Sequence, residues 1–352
     1  MDYSKKLNID KNKKIVWRLT ALWAFSEAAL GGILHALKIP FTGLFIGGSA
    51  TIFISLIAYF SESRNEIIKA TLKVMLVKFV ASPYSPLNAY FSVVVQSMLG
   101  YILFFKGFNK LSPIILGVIS LLLSSVQKIF VLTVIFGVTL WKSINIFFDF
   151  VITKVFKLST LSLGIEASYI IIGAYILLHL AGGLFAGIFA VKIPFKIEKE
   201  AGNHKQNKEI KLAVTNELIG KKKKRKKWWF RPSSILLFVF SILMIFLSFY
   251  YEELGSGIAR KIIVMWVRSG LIIIVWFYFI SPFLIKIVRR YLAKKQKSHS
   301  EEINTIINIF PNIRAVIRIS WEQCSNKKGF AKIVKLLELV LVNFILLDID
   351  SE

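Results

Sequence analysis

Long apolar blocks separated by short basic segments set the pattern of this chain. The first block, residues 17–38, follows a polar leader carrying Lys5, Lys6, Lys11, Lys13 and Lys14. Its length matches the roughly 20 residues that a helix needs to cross a bilayer core. Within it Ala24, Ala28, Gly32 and Ala36 recur at every fourth position. On a helix they form a ridge of small side chains that another backbone can approach closely. Glu27 and His35 fall two turns apart on a neighbouring stripe, with Gly31 between them. The pattern predicts a helix with one face for a protein contact and another for a polar site.

Pro40 breaks the chain before a second span over residues 41–60. A third, 67–82, is shorter. Its Lys69 and Lys73 lie one turn apart, where they can snorkel to the membrane surface, and Lys78 is expected to reach toward the other side. Prolines in the turn at 82–86 disfavour helix before them and end this span. Further spans are predicted over 87–105, 113–137 and 167–191, the last closed by Pro194. Between the fifth and sixth, residues 140–158 place Trp141, Ile144, Phe148, Val151 and Val155 on one stripe, the mark of an interfacial helix. Two more spans follow at 234–250 and 262–285.

The last segment alternates at helical spacing instead of running apolar. Ile303, Ile306, Ile307, Phe310, Ile313, Ile317, Trp321 and Cys324 make one stripe, interrupted by Pro311, with Arg314, Arg318 and Glu322 opposite. After Lys327-Lys328-Gly329 a second amphipathic helix begins. Both are expected on the membrane or against the bundle. The fold class is therefore an all-α polytopic membrane protein. It comprises a basic cytoplasmic leader (1–14), a six-span bundle (15–195), a basic cytoplasmic linker (196–231), a two-span segment (232–288) and cytoplasmic amphipathic helices (289–352).

Composition strengthens this picture: 55% of residues are hydrophobic, including 30 Phe and 8 Trp. The net charge of +26 would suggest nucleic acid in a soluble protein. Here the charge sits between the blocks, where membrane orientation explains it, and no nucleic-acid partner is expected. With the N-terminus inside, the basic segments 1–14, 106–110, 192–231 and 286–297 all fall inside. Eight spans in a cell membrane with both termini cytoplasmic then satisfy the positive-inside rule. The run KKKKRKK, Lys221 to Lys227, followed by Trp228 and Trp229, suits either anionic lipid head groups or a stop-transfer flank. Cys324 is the sole cysteine, which excludes an intrachain disulfide. No small-residue cleavage site follows the first block, so it is expected to be retained.

Catalytic signatures are missing. The sequence has no GxxxxGK[ST] loop, no HExxH and no GxSxG. Aspartate occurs only at Asp2, Asp10, Asp149, Asp348 and Asp350, so acidic metal motifs for diphosphate chemistry are also missing. Neither enzymatic activity nor a metal or cofactor is expected. What remains is a set of polar groups inside spans. A carboxylate at mid-span costs a few kcal/mol and faces a partner or a cavity, which singles out Glu27. His35, His179, Gln96 and Gln127 offer hydrogen bonds, and Lys128 offers a charge to neutralise Glu27. The alternative is that Glu27 pairs with Lys128 or His35 merely to hold the bundle together.

Residues 15 to about 195 resemble the substrate-binding S components of energy-coupling factor transporters, which take up vitamins and related micronutrients. The resemblance rests on six compact spans, the Ala24, Ala28, Gly32, Ala36 ridge and the Pro-containing turn between the third and fourth spans. It implies a small-molecule pocket between the first, fourth, fifth and sixth spans, and ridge docking to a coupling subunit. The C-terminal part more faintly resembles the coupling T component of the same transporters, whose cytoplasmic helices dock into ATPases. That implies partner contact near Arg314 and Arg318, although the family's Ala-Arg-Gly motif is absent and only two spans precede these helices. The alternatives are a membrane scaffold without a ligand, and an accessory subunit of a lipid- or isoprenoid-processing enzyme.

Overall fold

The computed structural model describes residues 9–36, 41–82, 85, 87–155, 166–200 and 255–347. The described residues are helical, with no strand among them. The 234–250 span, nearly all of the 196–231 linker, Lys221 to Lys227, Trp228 and Trp229 lie outside the described residues.

Helix α1 (Ile9–Phe25) continues through a π-helical turn (Ser26–Leu30) into α2 (Gly31–Ala36). It starts two turns before the apolar block because the leader is not wholly solvated: Asn12 and Ile15 are buried, while Lys13 and Lys14 stay exposed. From Arg18 to Trp23 every side chain is buried, which marks a helix enclosed on all sides. It packs on α3 (Thr42–Phe60) and α4 (Asn65–Ala81), and α5 (Leu87–Leu103) packs on both of those. Asn109 caps α6 (Leu111–Phe136) by accepting the Leu111 and Ser112 amides at 2.9 and 2.8 Å.

Gly137, at φ 74°, turns the chain from α6 into α7 (Val138–Phe150), which ends in a π-turn, Val151–Val155. The segment expected to be an interfacial helix is helical over Val138–Val155, and Trp141 Nε1 donates to Thr133 Oγ1 at 3.0 Å. Helix α8 runs over Ala167–Glu200. Pro194 does not close it, contrary to the sequence reading. Ile193, Pro194 and Ile197 are all buried, and Tyr59 donates to Glu198 Oε1 at 2.9 Å, so packing holds the last turns despite the lost backbone bond. Helix α9 (Gly255–Val275) passes through a π-turn, Trp276–Ile280, into α10 (Ser281–Ser298). That turn lies just ahead of Pro282, where irregular hydrogen bonding accommodates the ring.

Packing divides the chain into two compact units, residues 1–120, 182–226 and 290–352 in the first and 121–181 and 227–289 in the second. The C-terminal helices α11 (Ser300–Asn308), α12 (Phe310–Gln323) and α13 (Gly329–Leu346) belong to the first unit. They lie against the bundle. Helix α11 packs on α4 and α1, and α12 pairs with α13. The Phe25 and Phe310 rings meet edge to face at 5.1 Å, and Lys73 reaches Glu302 at 3.1 Å. Lys73 is therefore ion-paired rather than snorkelling. Glu338 on α13 accepts from Lys196 and Lys335. Burial by itself would push the Glu338 carboxyl up, but the two ammonium groups hold it below its ordinary value. Trp321 leaves the predicted apolar stripe: it is half exposed, with the Lys332 ammonium 3.9 Å above its ring.

Among the described residues, four helical stretches are long and apolar enough to cross a membrane: Thr42–Phe60, Leu111–Phe136, Ala167–Glu200 and Ile263–Ser298. Leu87–Leu103 is apolar but shorter. Ile263, Val264, Val267 and Leu271 are each more than half exposed. A stretch this apolar and this open is stable only where its solvent is hydrocarbon. The protein is a helical, membrane-associated chain.

Candidate functional site

Glu27 sits in the π-turn, where one extra residue per turn shifts the side chain off the α-helical register. The Gly31 amide donates to Ser26 O to close the turn, and Ser26 Oγ lies 3.0 Å from Ser49 Oγ on α3. Ser49 in turn donates to Ile46 O at 2.9 Å, so the distortion is clamped from outside. The clamp aims Glu27 at α4. Lys78, in the last turn of α4, donates to Glu27 Oε2 at 2.6 Å. Both side chains are enclosed, 1% exposed for Glu27 and 2% for Lys78. The Lys78 ammonium is also 5.7 Å from the Tyr90 ring centre, within range of a cation–π attraction. Glu27 Oε1 has no hydrogen-bond partner among the described residues.

The cation beside Glu27 is thus Lys78, not the expected Lys128. Lys78 lies 51 residues from Glu27 in the chain and was expected to point away. A deep charge of each sign on the first and third predicted spans is the sequence feature that bears on this pair, but it does not fix the register that joins them. Lys128 is exposed and Gln127 half-buried on the part of α6 in the second unit. His179, in the same unit, is fully buried; its Nδ1 lies 2.9 Å from Tyr175 O and its Nε2 has no partner among the described residues. A carbonyl only accepts, so Nδ1 carries the proton and Nε2 presents a bare lone pair. Gln96 is buried on α5 in the first unit, with Glu27. The side chain of His35 lies outside the described residues. By chain position Glu27, His35 and Gln96 belong to the first unit and Gln127, Lys128 and His179 to the second.

The small-residue ridge is used within the chain. Ala24 has no exposed area and Ala28 is 6% exposed. Gly32 faces Ser82, whose Oγ would be 3.5 Å from an added Cβ. The side chain of Ala36 lies outside the described residues. Closer backbone approach occurs elsewhere: a Cβ on Gly183 would lie 2.5 Å from Gly117 O, and one on Gly187 2.5 Å from Ile114 Cα. This Gly183-x-x-x-Gly187 face is where α6 and α8 cross. Arg314 and Arg318 are exposed on α12, Arg318 with Glu322 at 3.5 Å.

Arg18 is a buried group that the sequence reading passed over. Its Nη1 donates to Ile345 O at 2.6 Å, satisfying a carbonyl in the last turn of α13, where a cation also meets the negative end of the helix dipole. A cavity of about 350 Å³ opens at the N-terminal end of α1, and none of the predicted binding residues lines it. No family model matches the chain, and neither a curated protein nor a solved structure matches it.

Proposed function

We propose that the chain is a multi-pass transport subunit of the cell membrane, binding a small micronutrient for uptake while other subunits supply ATP hydrolysis. The observation carrying this reading is the Glu27–Lys78 pair. An ionisable pair inside a membrane bundle marks a substrate path more often than a brace, because each charge is costly to insert. Its irregular backbone and the unpartnered Glu27 Oε1 add to that reading. A ligand amide, ammonium or hydroxyl would donate to that oxygen. The frame is eight spans with both termini cytoplasmic, and the exposed Arg314 and Arg318 face is the contact for a coupling partner. The basic run Lys221 to Lys227 meets anionic lipid.

The test is a thermal-shift screen of purified full-length protein against vitamins and their precursors, followed by identification of subunits that co-purify in mild detergent. Stabilisation by one compound class together with ATPase subunits is the expected result. An intact protein stabilised by no compound refutes it. A second reading is favoured by the enclosure of the pair: a scaffold in which Glu27 and Lys78 only hold α1 to α4. Glu27→Gln separates the two. Loss of uptake at normal abundance indicates a site, whereas reduced abundance with uptake per molecule unchanged indicates a brace.

A further inference from the structure

The cavity at the N-terminal end of α1 is bounded by that helix, the α3–α4 loop and the first turns of α4, far along α1 from Glu27. Its wall combines apolar side chains, Val16, Trp17 and Phe60 among them, with both signs of charge. Lys13, Lys69 and Lys73 line it together with Glu62 and Glu66. Part of this charge is already answered, Lys69 by Glu66 at 2.7 Å and Lys73 by Glu302 at 3.1 Å. Lys13 and Glu62 make no ion pair with any described residue. Asn12 also lines the cavity; it is 6% exposed, and its Oδ1 accepts no hydrogen bond from any described residue. Ser61 Oγ, in the same wall, is likewise buried without a partner. Leaving a buried acceptor unanswered costs about 1–3 kcal/mol, and two in one cavity wall point to a ligand that supplies donors.

We propose that this cavity binds a phosphoethanolamine group. The three ammonium groups suit a phosphate, which spreads its charge over several oxygens and accepts from each of them. The free Glu62 carboxylate and the Asn12 amide oxygen suit a primary ammonium, which has three N–H donors to share. A trimethylated ammonium has none, so phosphocholine leaves Asn12 Oδ1 unanswered. The volume of about 350 Å³ is at the lower end of the range for small-ligand sites, sufficient for such a group. Trp17, in the same wall, is a residue type favoured at membrane interfaces. The group is supplied either by an ethanolamine phospholipid or by a free phosphoester.

Two arms distinguish these sources. In the first, the full chain is reconstituted in nanodiscs of ethanolamine, choline or glycerol phospholipid, and retained lipid is read by native mass spectrometry. In the second, delipidated protein in detergent is titrated calorimetrically with phosphoethanolamine, inorganic phosphate or ethanolamine. Ethanolamine lipid retained over choline lipid assigns the site to a headgroup. Saturable binding of free phosphoethanolamine, at least about tenfold tighter than either half alone, assigns it to a soluble ligand. In either case Lys13→Gln and Glu62→Gln, both at exposed positions, weaken binding about tenfold with an unchanged ligand-free melting temperature. Binding of neither form, equal retention of choline lipid together with no preference for free phosphoethanolamine over its halves, or unaffected binding by both variants overturns the proposal.

Discussion

Replacing Lys78 by Met tests the centre of the bundle most directly. The ammonium now meets Glu27 at 2.6 Å with 2% of its side chain exposed, and the carboxylate is 1% exposed. Lys78→Met preserves the length and apolar stem but leaves an enclosed carboxylate with no counter-charge. Breaking a buried pair from one side costs about 3–5 kcal/mol, a large part of the roughly 5–15 kcal/mol that holds a typical domain together. The double substitution Glu27→Gln/Lys78→Met removes both charges and keeps both volumes. Because desolvation of two ions nearly cancels their attraction, the double variant is expected within about 1 kcal/mol of the wild type. The coupling in the cycle is then at least about 2 kcal/mol.

Unfolding by SDS titration in mixed micelles measures the three variants, and abundance in membranes provides a second reading. A Lys78→Met protein as stable as the wild type, or a double variant that loses the sum of the two singles, would refute the reasoning. The first outcome would mean that water or a lipid headgroup reaches Glu27 in the membrane. The second would mean that each residue is held by something other than its partner.

Arg18→Met removes the donor on Ile345 O and is expected to cost about 1.5–3 kcal/mol, with faster hydrogen exchange confined to the last turn of α13. Gly183→Ala pushes a methyl into Gly117 O and is expected to destabilise by about 1–3 kcal/mol in the same SDS titration. Gly173→Ala on the same helix meets nothing within 4 Å and is expected to stay within about 0.5 kcal/mol of the wild type. The Glu338 carboxyl is held below its ordinary value of 4.5, so its contribution is complete above that pH and is lost as pH falls through the lower, folded value. Acidification below about pH 4.5 should therefore cost the wild type more melting temperature than it costs Glu338→Gln. Partial solvent screening keeps the difference small.

The apolar blocks located most helices because a span's length and hydropathy are local properties. What the pattern could not locate was anything set by a neighbour. Helix α1 begins at Ile9 because the inner face of a charged leader packs, and that face has no apolar period to announce it. Pro194 is a reliable stop in isolation, but buried flanking residues keep α8 going. Trp321 fits the stripe by spacing alone, whereas the face that α12 buries runs through Ile313, Val316 and Ser320 and leaves the indole to Lys332. At the site, Glu27 was legible as a deep carboxylate. Its partner was not, because the register between α1 and α4 depends on a π-turn that no residue in SEAAL advertises.

This arrangement explains why the first and third predicted spans are too polar to count among the membrane-length helices. Each deep charge costs about 2.5–3.5 kcal/mol at the centre of a lone helix. Helix α1 carries Arg18 and the π-turn after it Glu27, and α4 carries Lys69, Lys73 and Lys78. As single insertions they are poor. Together they cancel Glu27 against Lys78, while Ile345 O and Glu302 on the C-terminal helices take Arg18 and Lys73. The apolar α3 and α5 pack alongside, and Phe45, Phe91, Met98 and Ile102 on them point outward. The first unit thus holds its few charges among buried apolar side chains such as Leu19, Trp23, Leu56 and Val77, and turns other apolar side chains outward. Its C-terminal helices answer one cation from each of two helices, Arg18 of α1 through a carbonyl and Lys73 of α4 through a carboxylate.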